Sequence, residues 1–100
     1  MSKYCLTLVG SPEIEEKLVD TVLVTLDDAV FTSAPSFTHG MAHGRLSNAE
    51  QVMGRSRSAQ LEIIVTEPEL SSLLDVLRQR FRGTGLRYWA VALALEGAIE

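Results

Sequence analysis

The two halves of this 100-residue chain repeat one short pattern, and this repeat constrains the fold more than any other feature. Residues 4–14 (YCLTLVGSPEI) align without a gap with residues 60–70 (QLEIIVTEPEL). The matched pairs are Val9 with Val65, Pro12 with Pro68, Glu13 with Glu69, and Leu18 with Leu74. These positions end a strand, begin a helix and pack its apolar side. The pattern therefore predicts a strand–helix–strand unit that occurs twice.

The first half predicts a strand from Lys3 to Val9, then a helix, then a second strand. Ser11 is expected to be the N-cap of the helix, with Pro12 at the first helical position. The second strand is expected over residues 29–37. Pro35 interrupts this strand, which indicates an edge strand or a bulge.

The second half predicts a third strand over residues 59–65, followed directly by a helix. Thr66 and Glu69 have the spacing of a capping box at the start of that helix. Gly83-Thr84-Gly85 is expected to end the helix. Residues 86–95 are nearly all apolar and predict the fourth strand.

The two halves are joined by a long segment, from Thr38 to Ser58. Its apolar residues follow neither the spacing of a helix nor the alternation of a strand. Three glycines punctuate its small and polar residues. A loop of this length inside a compact domain is usually functional or mobile. The alternative is that its two ends extend as a β-ribbon.

The order of elements predicts a single α+β domain over residues 1–100 with a ferredoxin-like βαββαβ fold. Right-handed crossovers place both helices on one face of a four-stranded antiparallel sheet, whose inner strands are the first and the third. The rival interpretation is an unrelated α+β sandwich with the same element order.

Apolar residues on both faces of the fourth strand predict self-association. One face carries Leu86, Tyr88, Ala90, Ala92 and Ala94, and the other carries Arg87, Trp89, Val91, Leu93 and Leu95. Only one face can pack on the helices, so the other is expected to pack on a neighbouring subunit.

The net charge of −4 argues against nucleic-acid binding, which needs a dense basic face. A local exception lies around the end of the second helix, where the chain carries Arg78, Arg80, Arg82 and Arg87. These arginines either favour and solvate a helix C-terminus or attract an anion or an acidic partner.

Cys5 is the only cysteine, so no disulfide can form within the chain, which is typical of a reducing compartment. Its two interpretations are a small buried hydrophobe and a group for metal ligation or redox sensing. No leader segment and no apolar run long enough to span a bilayer are evident, so a cytoplasmic location without membrane insertion is expected.

His39, Met41 and His43 form the one tight cluster of metal-type side chains. Positions two apart point the same way in an extended segment, so two imidazoles and a thioether would converge. This ligand set suits Cu, Zn or Ni. The alternative is a loop with two solvated histidines.

Catalysis is not expected, because no Ser/His/Asp or Cys/His arrangement has a local signature and no P-loop is present. The glutamates near each helix start are explained by the helix dipole.

Several stretches make the chain similar to the PII-like superfamily of trimeric signalling proteins. It most resembles the small PII-like proteins encoded beside heavy-metal efflux pumps of the RND class. The stretches are residues 4–9 (YCLTLV), 31–33 (FTS), 39–40 (HG), 46–55 (LSNAEQVMGR) and 86–89 (LRYW). The resemblance implies a trimer with its sheets facing inward and ligand sites in the clefts between subunits. It also implies that the loop from Thr38 to Ser58 contacts transporters or enzymes, with Glu50, Gln51 and Met53 as partner-binding residues.

The chain departs from the nucleotide-binding members of that superfamily at one point. Those members carry a glycine-rich phosphate loop followed by a lysine, where this chain has only Gly83-Thr84-Gly85-Leu86-Arg87. They also carry a C-terminal extension that this chain lacks. Arg55, Arg57 and Arg87 are therefore expected to hold a smaller anion.

Three functions remain open. The leading hypothesis is a non-enzymatic PII-like sensor that responds to a transition metal through its loop and contacts an efflux transporter. The second is a PII relative that binds a nucleotide or small anion in the clefts between subunits. The third is a protein-interaction module without a small ligand.

Overall fold

The structure, a computed structural model, describes residues 2–40 and 55–100. The strands are β1 (Lys3–Gly10), β2 (Phe31–His39), β3 (Arg55–Thr66) and β4 (Arg87–Ala92). A short 3₁₀ turn (Pro12–Ile14) precedes helix α1 (Glu15–Thr25), and helix α2 (Glu67–Arg80) lies between β3 and β4. The predicted α+β, ferredoxin-like βαββαβ fold is confirmed.

The four strands form one antiparallel sheet in the order β2-β3-β1-β4. The inner strands are β1 and β3, as the repeat predicts. In this register, Leu6 of β1 lies between Ile63 of β3 and Ala90 of β4.

The hydrophobic core lies between the two helices and one face of the sheet. Fully buried side chains alternate along the inner strands, with Leu6 and Leu8 on β1 and Leu61 and Ile63 on β3. The helices contribute Leu18, Val22, Leu73 and Leu77. Each such side chain contributes about 1.5–3 kcal/mol on burial, so this face fixes the position of both helices.

The two helix starts differ in how their first amides are bonded. At α2 the capping box is confirmed: the amide of Thr66 donates to Glu69 Oε1 at 2.8 Å, and the Glu69 amide donates to Thr66 Oγ1 at 3.4 Å. At the first helix Ser11 is the N-cap and Pro12 takes the first position, as predicted, but they begin a 3₁₀ turn and the Ser11 side chain makes no capping hydrogen bond. There the Ile14 amide donates to the Ser11 carbonyl at 3.2 Å within the 3₁₀ turn, so it has a partner without the hydroxyl.

The strands that flank the long segment extend further than the predicted loop boundaries, Thr38 and Ser58. They pair as far as His39 opposite Arg55, which is the β-ribbon alternative. Pro35 lies on β2, which is an edge strand of the sheet. Proline has no backbone N–H, and on an edge strand this does not interrupt the hydrogen bonds between the inner strands. The fourth strand is shorter than predicted and ends at Ala92.

The face of the sheet opposite the helices, here called the open face, carries exposed apolar side chains. Ile64, Trp89 and Val91 are 42%, 47% and 57% exposed. Tyr88, which alternates with Trp89 along β4, lies on the helix side. Within residues 2–40 and 55–100, no helix is both long and apolar enough to cross a bilayer.

Candidate functional site

A cavity of about 310 Å³, here called the ribbon cavity, lies where β1 ends beside the paired strands β2 and β3. Its lining comes from four segments of the chain: residues 9–13, Thr38, residues 56–58, and residues 84, 85 and 87. Both halves of the repeat contribute to this lining. The first half supplies residues 9–13, at the end of β1 and just after it, and the second half supplies residues 84, 85 and 87, just before β4 and at its start.

Hydroxyl groups line the ribbon side of this cavity. Thr38 and Ser58 lie on neighbouring strands and share a hydrogen bond between their hydroxyls. Ser56 and Ser58 are both buried. On this wall, Ser56 and Ser58 alternate with Arg57 along β3, and hydroxyls can donate to the oxygens of an anion.

The floor of the ribbon cavity includes Gly10, which is buried. A Cβ at this position would lie 2.8 Å from Ile14 Cδ1 and 3.2 Å from Leu86 Cδ1. Ile14 and Leu86 therefore pack directly over the backbone at the end of β1.

Two of the three arginines expected to hold an anion line the ribbon cavity. These are Arg57 of β3 and Arg87 at the start of β4. Arg55 is not part of the lining. Its guanidinium lies 4.3 Å from the centroid of the Phe37 ring, which is the distance of a cation–π contact. With Glu13 also in the lining, the two arginines leave the ribbon cavity with one net positive charge, within a chain of net charge −4.

The expected metal site falls largely outside the described residues. His39 is exposed and is the last residue of β2. Met41 and His43 lie outside the described residues, as do the expected partner-binding residues Glu50, Gln51 and Met53. Across residues 2–40 and 55–100, the structure contains no group of three or more His, Cys, Asp or Glu side chains that could hold a metal.

Cys5 lies on the open face beside Glu62, with 3.8 Å between its Sγ and Glu62 Oε2. Burial raises the pKa of the Cys5 thiol, and the neighbouring Glu62 carboxylate raises this pKa further. The thiolate, which is the form that ligates metals and reacts, is therefore disfavoured at neutral pH.

The hydroxyl-lined wall was not predicted from the sequence. The signal is present as Ser36-Phe37-Thr38 and Ser56-Arg57-Ser58, in which polar residues alternate at strand spacing. It was missed because both stretches fall at the boundaries of the predicted loop.

PII-like proteins are among the solved structures that align with this fold. A putative PII-like signaling protein from Thermus thermophilus aligns with a TM-score of 0.68 at 19% identity, over 93% of this chain and 88% of its own. CPII from Thiomonas intermedia, a nitrogen regulatory PII-like protein bound to ADP, AMP and bicarbonate, aligns with a TM-score of 0.69 at 11% identity. The alignment covers 99% of this chain and 98% of CPII. The fold is therefore that of the PII-like signalling proteins.

The family itself is given by the sequence. The chain belongs to DUF3240, a family described as proteins of unknown function, whose model matches residues 1–100. A solved DUF3240 family protein from Shewanella baltica has a TM-score of 0.71 at 18% identity and covers 100% of this chain and 99% of its own. No curated protein is significantly similar to the chain.

Proposed function

We propose that this chain is a non-enzymatic regulatory protein of the PII-like class that binds a small oxyanion in the ribbon cavity. The observation that carries this proposal is the position of Arg57 and Arg87, which line one cavity although they lie on different strands. Guanidinium groups bind carboxylates, phosphates and related oxyanions through charge-assisted hydrogen bonds.

The ligand class is supported by a structural neighbour. CPII is bound to ADP, AMP and bicarbonate. The ligands that follow for this chain are bicarbonate and the phosphate of an adenine nucleotide. Because the turn before β4 lacks the glycine-rich loop with a following lysine, the smaller ion is the preferred ligand.

The position of the cavity gives the ligand a route to a partner. Thr38 and residues 56–58 belong to the paired ends of β2 and β3, so an anion in the ribbon cavity would stabilise those ends. The segment between these strands would then change its contact with a partner protein. Glu50, Gln51 and Met53 are the proposed contact residues, and a membrane efflux transporter is one proposed partner.

Calorimetric titration of the full chain with bicarbonate, AMP and ADP tests this function. Arg57→Gln and Arg87→Gln should each weaken binding about tenfold or more, since a hydrogen bond to a charged group contributes about 1.5–3 kcal/mol. Arg80→Gln is the matched control, because Arg80 lies on α2 outside the cavity lining and its loss changes the net charge equally. Binding unchanged in both cavity variants, or no binding of any of the three, would reject the proposal.

A second candidate is a response to a transition metal. His39 favours it, because this exposed side chain ends β2 and lies two residues before Met41 and four before His43. Titration with Cu(I), Zn(II) and Ni(II) should give a dissociation constant below about 10 µM, and His39→Ala and His43→Ala should each weaken it. Binding that survives both substitutions would exclude this site.

The third candidate, an interaction module without a small ligand, is separated by the same titrations. It is supported if every ligand fails while alanine variants at Glu50, Gln51 and Met53 abolish capture of one partner. A small-molecule response that depends on Arg57 or His39 excludes it.

A further inference from the structure

A second cavity, here called the α2–β4 cavity, lies on the helix side of the sheet, and its lining shares only Gly85 with that of the ribbon cavity. It measures about 290 Å³ and is lined by the last turns of α2, the turn at residues 81–86, Leu8 and Tyr88. This volume is at the lower end of the range for small-molecule sites, which is about 300–1,000 Å³.

The interior of the α2–β4 cavity is apolar. Leu8, Leu77 and Phe81 are buried in the core, and Leu74 and Leu86 are half-buried against it. An occupant must therefore bring an apolar body, since a small hydrated ion would lose its water there without gaining partners.

The polar groups of the α2–β4 cavity are basic or neutral. Arg78 and Arg82 line it, and the Arg78 guanidinium donates to the Tyr88 hydroxyl at 3.4 Å. Asp75 contacts Arg78 at 3.4 Å, but both side chains are largely exposed, so this ion pair is weak. A carboxylate at this position would meet two guanidiniums and a hydroxyl.

The turn that forms one wall is held in place by its own hydrogen bonds. Thr84 donates from its hydroxyl to the Phe81 carbonyl at 2.7 Å and from its amide to the same carbonyl at 3.2 Å. Gly83 and Gly85 take positive φ angles of 81° and 80°. Because the Phe81 carbonyl already has partners, it does not need a ligand donor, and a ligand that only accepts hydrogen bonds is compatible with this helix end.

We infer that the α2–β4 cavity binds a small apolar carboxylate, whose carbon skeleton packs on Leu77, Phe81 and Leu86 and whose carboxylate pairs with Arg78 and Arg82. The apolar interior excludes free phosphate and bicarbonate, and the two guanidiniums exclude an alkylammonium ion. The site uses neither Arg57 nor Arg87, so it is independent of the proposed function. It also gives Arg78 and Arg82, near the end of α2, a role beyond keeping the helix C-terminus solvated.

Octanoate is the probe, tested on the full chain in its native assembly by NMR of leucine methyl groups. Its addition should shift the methyl signals of Leu74, Leu77 and Leu86 in a saturable manner. Octanamide, which has the same skeleton without charge, should bind at least about tenfold more weakly, and octylammonium should not compete. Equal affinities for octanoate and octanamide would overturn the assignment, as would octanoate shifts confined to residues of the open face.

Three arginine variants separate a built site from general attraction of an anion. Arg78→Gln and Arg82→Gln should each weaken octanoate binding about tenfold, whereas Arg80→Gln, on the same helix end but outside the lining, should leave it unchanged. An equal loss in all three variants would overturn the inference. Because these side chains are exposed, none of the substitutions touches the core.

Discussion

At the scale of single residues, the turn between the two cavities depends on glycine. Gly83 has a φ of 81°, and a Cβ added there would meet no atom within 4 Å. Any penalty for a larger residue is therefore conformational and not steric. A left-handed backbone costs about 1–2 kcal/mol for a residue with a Cβ.

Gly83→Ala should lower the free energy of unfolding by about 1 kcal/mol, measured by urea denaturation. Gly97→Ala is the control, because Gly97 also has open space around it but no positive φ. Gly83→Asn should lose less than Gly83→Ala, since Asn tolerates this conformation. Equal effects of Gly83→Ala and Gly97→Ala would contradict the assignment of the cost to φ.

The Cys5 thiol gives a second prediction at this scale. Because Glu62 contributes to the raised pKa of Cys5, Glu62→Gln should lower that pKa and speed alkylation by iodoacetamide at pH 8. Glu16→Gln, on α1 at the other side of the sheet, should leave the rate unchanged. A rate that does not respond to Glu62→Gln would show that the carboxylate does not act on the thiol.

The same raised pKa has a consequence for stability. The folded state holds the thiol proton more tightly than the unfolded state does. The raised pKa therefore adds to the free energy of unfolding. This added stability is fully present below the pKa of the thiol in the unfolded chain and is lost as the pH rises through its pKa in the folded state.

At the scale of elements, the two helices of the repeat begin by different means. α2 has a reciprocal capping box, whereas the first helix begins with a 3₁₀ turn and no side-chain cap. The similar sequences Ser11-Pro12-Glu13 and Thr66-Glu67-Pro68 hide this difference, because Pro12 directly follows Ser11 but Pro68 lies one residue further from Thr66.

Thr66→Ala should therefore lower the free energy of unfolding by about 1 kcal/mol, while Ser11→Ala should change it little. Thr66→Ser should retain most of the stability, since its hydroxyl can still accept from the Glu69 amide. Thermal or chemical denaturation of the three variants is sufficient to measure this. A loss at Ser11→Ala as large as that at Thr66→Ala would contradict the hydrogen-bond assignment.

At the scale of the whole molecule, the open face requires a cover. Ile64 of β3 and Trp89 and Val91 of β4 lie on the face of the sheet that no helix covers, because both helices pack on the other side. Exposed apolar patches of this kind mark interaction surfaces. We propose that a second and a third copy of the chain cover this face, which gives a homotrimer.

Light scattering should then give a mass three times that of the single chain, and Trp89→Asp should shift it toward the single chain. Val24→Asp is the control, because Val24 is 77% exposed on α1, away from the open face. This substitution also replaces an apolar side chain by a carboxylate, so it matches the change of polarity at Trp89. A wild-type mass equal to one chain would contradict the proposed homotrimer.

The sequence predicted the elements whose signals are local. The alternation of Leu6 and Leu8, the spacing of Thr66 and Glu69, and the glycines after α2 each depend on a few neighbouring residues. The boundaries between Thr38 and Ser58 were less predictable. The pairing of His39 with Arg55 is a contact between two strands, which local sequence does not show. The end of β2 and the start of β3 are also not strongly apolar, so neither carries a clear strand pattern.

The sequence by itself determined the fold, because the core pattern of strand and helix is encoded twice in the chain. It also identified Arg57 and Arg87 as candidates for an anion site. Only the tertiary structure decided that these two share a cavity while Arg55 stacks on Phe37, and that Arg78 and Arg82 flank a separate apolar cavity. The reason is physical: a cavity is formed by segments distant along the chain, and its lining depends on register and packing rather than on local spacing.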